Sequence, residues 1–191
     1  ATKSIYVPHT DNKKLFTAQF IGNVNVETRD KLKVKSELIT YDHELETAES
    51  TEIVEFEQLN IKGKSLGSKL FVKERKIELL KDVEINANAD PKLEVDKVAD
   101  AKLQSAKIVS GYAMVQETTV EGKPVEQTIN AKQNVVINLL PLGNQSNLKQ
   151  PTDIKADEAT AFLIEKQVKK IDLLGNTEVF AKPTATNTEY T

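Results

Sequence analysis

The chain has 191 residues, 39% apolar and 29% charged, with 26 Lys and Arg against 29 Asp and Glu. This composition supplies a hydrocarbon core and excludes wholesale disorder, while a formal net charge of −3 gives none of the positive excess that non-specific nucleic-acid binding requires. With no Cys and only two His, His9 and His43, disulfides, thiol catalysis and histidine-rich metal sites are excluded.

Residues 1–10 read as a flexible N-terminal segment, 11–182 as a single β domain and 183–191 as a flexible tail. The chain opens Ala1-Thr2-Lys3-Ser4 without an apolar leader. Its missing initiator Met and small first residue fit a removed signal as well as a cloning choice. Along the domain the dominant signal has period two. Leu32-Lys33-Val34-Lys35-Ser36-Glu37-Leu38 places Leu, Val, Ser and Leu on one face and charges on the other, as in a half-buried strand. The same alternation recurs in Val24-Asn25-Val26, Leu59-Asn60-Ile61, Val83 to Ala87, Leu93-Glu94-Val95, Val125 to Ile129 and Val135 to Leu139. Turn chemistry falls at Gly22-Asn23, Lys62-Gly63-Lys64, Glu121 to Pro124, Leu142-Gly143-Asn144 and Gly175-Asn176. Between Lys92 and Lys107, Val95, Val98, Ala99 and Leu103 also fit a helical spacing, but the strand reading is favoured. No apolar run approaches the roughly 20 residues of a membrane-spanning helix. Many short strands with regular turns predict an all-β sandwich, barrel or solenoid.

The chain repeats internally. Lys76-Ile77-Glu78-Leu79-Leu80-Lys81-Asp82-Val83-Glu84-Ile85 matches Lys170-Ile171-Asp172-Leu173-Leu174-Gly175-Asn176-Thr177-Glu178-Val179 at the apolar and turn positions. Ile61-Lys62-Gly63 and Ile154-Lys155-Ala156 form similar entries, and Leu70-Phe71-Val72 and Phe162-Leu163-Ile164 lie between entry and exit. Gly22-Asn23-Val24-Asn25-Val26 reads as a third exit. Each unit is too small to bury its own apolar face, so the units must stack or curl together.

Phe20-Ile21-Gly22-Asn23-Val24-Asn25-Val26 and the Ile154-to-Asn176 unit carry a further signal. Together with Ser110-Gly111-Tyr112 through Glu126, they resemble the OstA-like family of lipopolysaccharide-transport proteins, the LptA- and LptC-like periplasmic bridge components. The resemblance spans about residues 11 to 182. It departs at the Asn/Gln/Pro stretch between Pro141 and Pro151 and at the His-bearing start. It implies an open, twisted, taco-like β-jelly roll in the periplasm, with an apolar groove for the lipid A acyl chains of lipopolysaccharide. It implies head-to-tail assembly with similar β-jelly-roll partners, no cofactor and no enzymatic activity. The edges would be the strands around Lys14–Phe20 and Thr177–Ala181, with Pro183 just beyond the second.

The inward positions of the alternating strands are the expected groove lining. They are Val24, Val26, Val34, Leu38, Phe56, Ile61, Phe71, Leu79, Val83 and Ile85 in the first half. In the second half they are Met114, Ile129, Val135, Ile137, Phe162, Ile171 and Leu173. A β-bulge would invert every assignment after it. Alternation alone fits a closed sandwich core equally, and a structural β-repeat protein of the cell envelope is the other reading. Catalytic signals are thin. Tyr41-Asp42-His43-Glu44 reads as an exposed charged tip, His9 lies in the N-terminal segment, and no Gly-x-Ser-x-Gly elbow occurs. The pairs Glu55/Glu57 and Glu44/Glu46 read as solvated strand residues. Gly63-Lys64-Ser65-Leu66-Gly67 lacks the spacing of a phosphate loop, and no EF-hand calcium loop is present.

Overall fold

The computed structural model describes residues 1–12, 14–29, 31–88, 103–119, 125–141, 150–164 and 167–181. The expected strand at Leu93–Val95 and the turns at 121–124 and 142–144 lie outside these residues. The strands are β1 (Lys3–Pro8), β2 (Phe16–Glu27), β3 (Lys33–Asp42), β4 (Thr47–Gln58), β5 (Ile61–Phe71), β6 (Lys76–Leu79) and β7 (Val83–Asn88). They continue with β8 (Leu103–Ser110), β9 (Tyr112–Thr118), β10 (Glu126–Pro141), β11 (Thr152–Ile164), β12 (Gln167–Leu174) and β13 (Glu178–Ala181). All thirteen belong to one antiparallel sheet, so the chain is all-β, with a jelly-roll-like build. The described end of the Lys92–Lys107 segment is strand, in β8.

One line of irregularity crosses the sheet. Register shifts fall at Ile21/Val24 in β2, between Ser36 and Thr40 in β3, between Ser50 and Ile53 in β4, and at Lys132/Val135 in β10. The same line runs through left-handed residues at Gly22, Asn23, Gly67, Asp82, Gln133, Asn134 and Gly175. Each extra or left-handed residue bends its strand, and aligned bends fold the sheet along a crease. On one side, β5, β6, β9, β10 and β11 pair through residues 68–71, 76–79, 113–116, 126–132 and 158–164. On the other, β5, β7, β8, β10 and β11 pair through 61–64, 83–88, 105–110, 135–140 and 152–156. The result is two wings sharing their long strands.

The bends free backbone carbonyls and amides, and small hydroxyls satisfy them. Ser36 Oγ donates to the Ile53 carbonyl at 2.9 Å, Ser65 Oγ to that of Gly67 at 2.9 Å and Ser110 Oγ to that of Tyr112 at 2.9 Å. The Glu52 amide donates to Ser50 Oγ at 3.1 Å. These four serines are buried, which is tolerable because each is hydrogen-bonded.

The wings differ sharply in their two faces. Outside, the strands of one wing alternate in charge: Lys62 pairs with Glu57 at 3.3 Å, and Glu84 meets Lys64 at 3.8 Å and Lys107 at 3.2 Å. On the other wing Lys69 pairs with Glu49, and Lys132 with Glu158 at 3.1 Å. Inside, Val34, Phe56, Ile85 and Ile137 of one wing and Leu70, Leu79, Val115 and Ile129 of the other join one buried cluster. Burying such side chains stabilises by roughly 1.5–3 kcal/mol each, which is what folds the two faces together.

Several sequence expectations need correction. Residues 3–8 are not a loose segment but the edge strand β1, paired with Phe16–Ile21; the N-terminal edge is therefore β1, not Lys14–Phe20. Gly22-Asn23 is a bulge inside β2, not a turn. Leu59-Asn60 is the two-residue tip joining β4 to β5, not strand. Lys62-Gly63-Lys64 lies within β5, where Gly63 faces Phe56 and a Cβ would fall 2.3 Å from the ring. The Gly is needed as a seat for that aromatic.

The repeat is real in three dimensions, with one shift. β5 pairs with β6 and then, past the crease, with β7; β11 pairs with β12 and then with β13. Gly63 opposes Ile85 and Ile154 opposes Val179, so the entries match two residues away from the sequence alignment. Phe71 and Phe162 occupy matching outer positions, each beneath a lysine, Lys76 at 3.8 Å and Lys170 at 5.6 Å from the ring centroid.

Candidate functional site

The interior between the wings is where the expected groove residues converge. Val24, Val34, Phe56, Ile61, Leu79, Val83, Ile85, Ile129, Val135 and Ile137 are buried in one cluster, and Val26, Ile171 and Leu173 pack against it. Leu38, Phe71, Met114 and Phe162 do not. They are half-buried, and the inward residues are their neighbours Ile39, Leu70, Ala113 and Val115, and Ala161 and Leu163. The crease explains three of these four errors. In β3 the bulge passes the inward row from Ser36 to Ile39. In β5 it passes from Ser65 to Ser68 and Leu70, and in β11 from Ala156 to Ala159. No bulge accounts for Met114: in β9 the inward parity is that of Ala113 and Val115, one residue away on either side.

Much of the interior is solid. Val54, Leu79, Val83, Ile85 and Ile137 have no exposed surface, and the space bounded by Val26, Val34, Ile39, Leu70 and Ile77 is about 20 Å³, the size of one water. A cleft of about 580 Å³ lies instead at the seam, away from the crease, where the wing tips approach each other. Its apolar walls are Leu32, Leu70, Ile77 and Val115; Arg29, Arg75 and Lys76 bring positive charge to it. Glu27, also in the lining, is paired with Lys31 at 3.5 Å. The Glu74 carboxylate, 2.9 Å from the Lys76 ammonium, holds that ammonium's pKa above its ordinary value against the cost of its burial.

One polar clasp spans the seam. Gln58, at the tip of β4, donates from Nε2 to Glu117 Oε2 at 3.1 Å; Glu117 is near the tip of β9 on the opposite wing. Arg75 Nη1 donates to Glu117 Oε1 at 3.0 Å and also to Thr119 Oγ1 at 3.0 Å, and the Glu117 amide donates to the Arg75 carbonyl at 3.0 Å. Gln58 and Glu117 are both buried. Sequence reading missed this group: its members are scattered along the chain, and only the crease brings them together.

His9, Asp42, His43 and Glu44 come together where β1 and β2 meet the β3–β4 turn, while Glu55 and Glu57 lie apart, at the far end of β4. His43 stacks on Phe16 with ring centroids 4.7 Å apart, and His9 Nδ1 lies 3.4 Å from Glu44 Oε2. Asp42 Oδ1 accepts from the Glu44 and Leu45 amides, fixing the β3–β4 turn. Glu57 and Glu46 are paired with Lys62 and Lys73, and Glu55 lies between Lys35 and Lys64 in the ladder.

The path of the sheet ends in β1 on one side and in β12 on the other, with β13 beside β12 on β11. Among the described residues β1 pairs only with β2, and β12 and β13 only with β11; all six residues of β1 and all four of β13 are exposed. No protein-family model matches the chain, and no curated protein matches it in sequence.

Proposed function

We propose that this protein is a non-enzymatic lipid carrier of the periplasm, a bridge component that passes lipopolysaccharide between membranes and assembles edge to edge with similar β-folds. The observation that carries the reading is the seam cleft, walled by Leu32, Leu70, Ile77 and Val115 and edged by Arg29 and by the ion-paired Arg75 and Lys76, a mixed lining that suits an amphipath with acyl chains and a polar head. The one-sided strands β1, β12 and β13 support the assembly half, because an unpaired edge offers free N–H and C=O groups to another chain. The sequence resemblance points the same way.

Photo-cross-linking tests the carrier half. A photoreactive residue at Ile77, on the cleft wall, is expected to label with lipopolysaccharide, and one at the adjacent outward Glu78 is not. Equal labelling at both sinks the assignment. Assembly is tested with Val179→Pro and Phe180→Pro. Successive N–H groups point to opposite edges, so one of the two removes an outward donor, and that one is expected to abolish concentration-dependent association. A second reading, a structural β-repeat protein of the cell envelope, is favoured by the solid interior around Val83 and Ile137. It predicts no lipid labelling at either position.

A further inference from the structure

Behind the seam cleft is a buried polar group that the folding of the sheet leaves unanswered. Gln127 is only 3% exposed, and its Nε2 has no hydrogen-bond partner among the described residues. A buried amide donor left unmade costs about 1–3 kcal/mol, so its presence calls for an acceptor. Gln127 stands directly opposite Glu117 across the β9–β10 ladder, in the same inward row as Ile129 and Ala131. Val115, two residues from Glu117 on the same face, forms part of the cleft wall. The amide therefore sits one pleat from the cleft.

The neighbouring charges limit what the acceptor can be. Both oxygens of Glu117 are engaged, one by Gln58 and one by Arg75. A carboxylate beside the Gln127 amide repels an anion there, and its pairing with Arg75 leaves the corner close to neutral. A phosphate or carboxylate head group belongs further out, with Arg29, since Lys76 is held by Glu74 and Glu78. What suits the inner position is a neutral acceptor at the edge of an apolar space, and in an acylated amphipath that is the ester or amide carbonyl joining chain to head.

We infer that Gln127 is the carbonyl-reading element of the cleft: it donates to the acyl carbonyl of a bound lipid and so sets how deep the chain can enter. This rests on the carrier reading and adds a chemical preference to it. The test uses the intact chain and two uncharged probes of equal length, a long-chain acyl methyl ester and the alkyl ether that lacks the carbonyl. Each displaces a fluorescent apolar dye; the protein has no Trp to interfere. Wild type is expected to bind the ester about tenfold more tightly than the ether, and Gln127→Leu to bind the two equally. Gln127→Met is the variant to use if Leu disturbs folding. The side-chain amide resonance of Gln127 is expected to shift with the ester and not with the ether. Equal affinity in the wild type overturns the inference while leaving a carrier. A preference that survives in both variants, or an unmoved amide resonance, overturns it as well. Displacement by neither probe removes this inference, and if lipopolysaccharide also fails to label Ile77, the carrier reading goes with it.

Discussion

β7 and β13 are the exits of the two repeats, and they share a sequence pattern, a connectivity and a register, yet one is core and the other is rim. Ile85 in β7 has no exposed surface; its counterpart Val179 in β13 is 60% exposed. Glu84 and Glu178 both face a lysine of the long strand, Lys64 and Lys155. Only Glu84 gains a second, Lys107, because β8 covers the far side of β7. Local sequence therefore sets the strand and its partner, and position in the sheet sets what each side chain is worth.

That difference can be broken in order of size. Ile85→Ala is expected to cost about 3 kcal/mol in urea unfolding, from lost burial plus an unfilled cavity, whereas Val179→Ala stays within about 0.5 kcal/mol. Equal costs would mean that the exposed face of β13 is covered in solution. Next come the glycines of the two repeats. Gly63→Ala drives a methyl into the Phe56 ring and to 2.9 Å from the Glu84 carbonyl, neither of which can withdraw easily. A cost of about 2 kcal/mol is expected. Gly175→Ala meets the Asp157 carboxylate, whose oxygen accepts from the Asn176 amide at 3.0 Å. The carboxylate can swing away, but Asp157 Cβ, 2.6 Å from the added methyl, is fixed by its backbone, and φ of 84° adds its own strain, so a cost of about 2 kcal/mol, equal to that at Gly63, is expected. A thermal-melt series in which either glycine accepts Ala without loss would contradict this account.

The smallest effect is electrostatic. The hydrogen bond from Lys107, aided by Asn86 and Lys64, holds the Glu84 carboxyl below its ordinary pKa despite partial burial. A depressed folded pKa stabilises above the unfolded value and is lost as the pH falls through the folded one. Glu84→Gln is thus expected to cost about 0.5 kcal/mol at neutral pH and nothing once the pH is below that folded value; Glu178→Gln should cost less at any pH. Unfolding of both variants across the acid range checks the ordering.

The alternation of apolar and charged residues made most strands legible, because a two-residue period survives whatever the partner strand is. The crease was not legible even where it uses glycine: Gly22-Asn23 reads as a turn in the sequence and is a bulge within β2. In β3 and β4 it passes through Glu37, Thr51 and Glu52, which look like ordinary outward strand residues, so the inward row was continued to Leu38 instead of passing to Ile39. Gly63 was misread because its reason for being glycine lies on another strand, in Phe56. The polar group at the seam was hidden for the same reason: Gln58 and Glu117 are 59 positions apart. No local pattern reports a contact that depends on how the whole sheet is bent.

The crease has a mechanical consequence. β2, β3, β4, β5, β10 and β11 all contribute residues on both sides of it, so the spine of the molecule is its own hydrogen-bonded ladder. Spreading the wings from that side would require many strands to yield together. At the opposite margin, among the described residues, the side-chain clasp of Gln58 on Glu117 joins the tips. Compliance is therefore graded across the width of the sheet, stiff at the spine and soft at the seam. Amide exchange should follow that gradient, slow for the amides of Val54 and Ile137 beside the bend and faster for Gln58 at the tip.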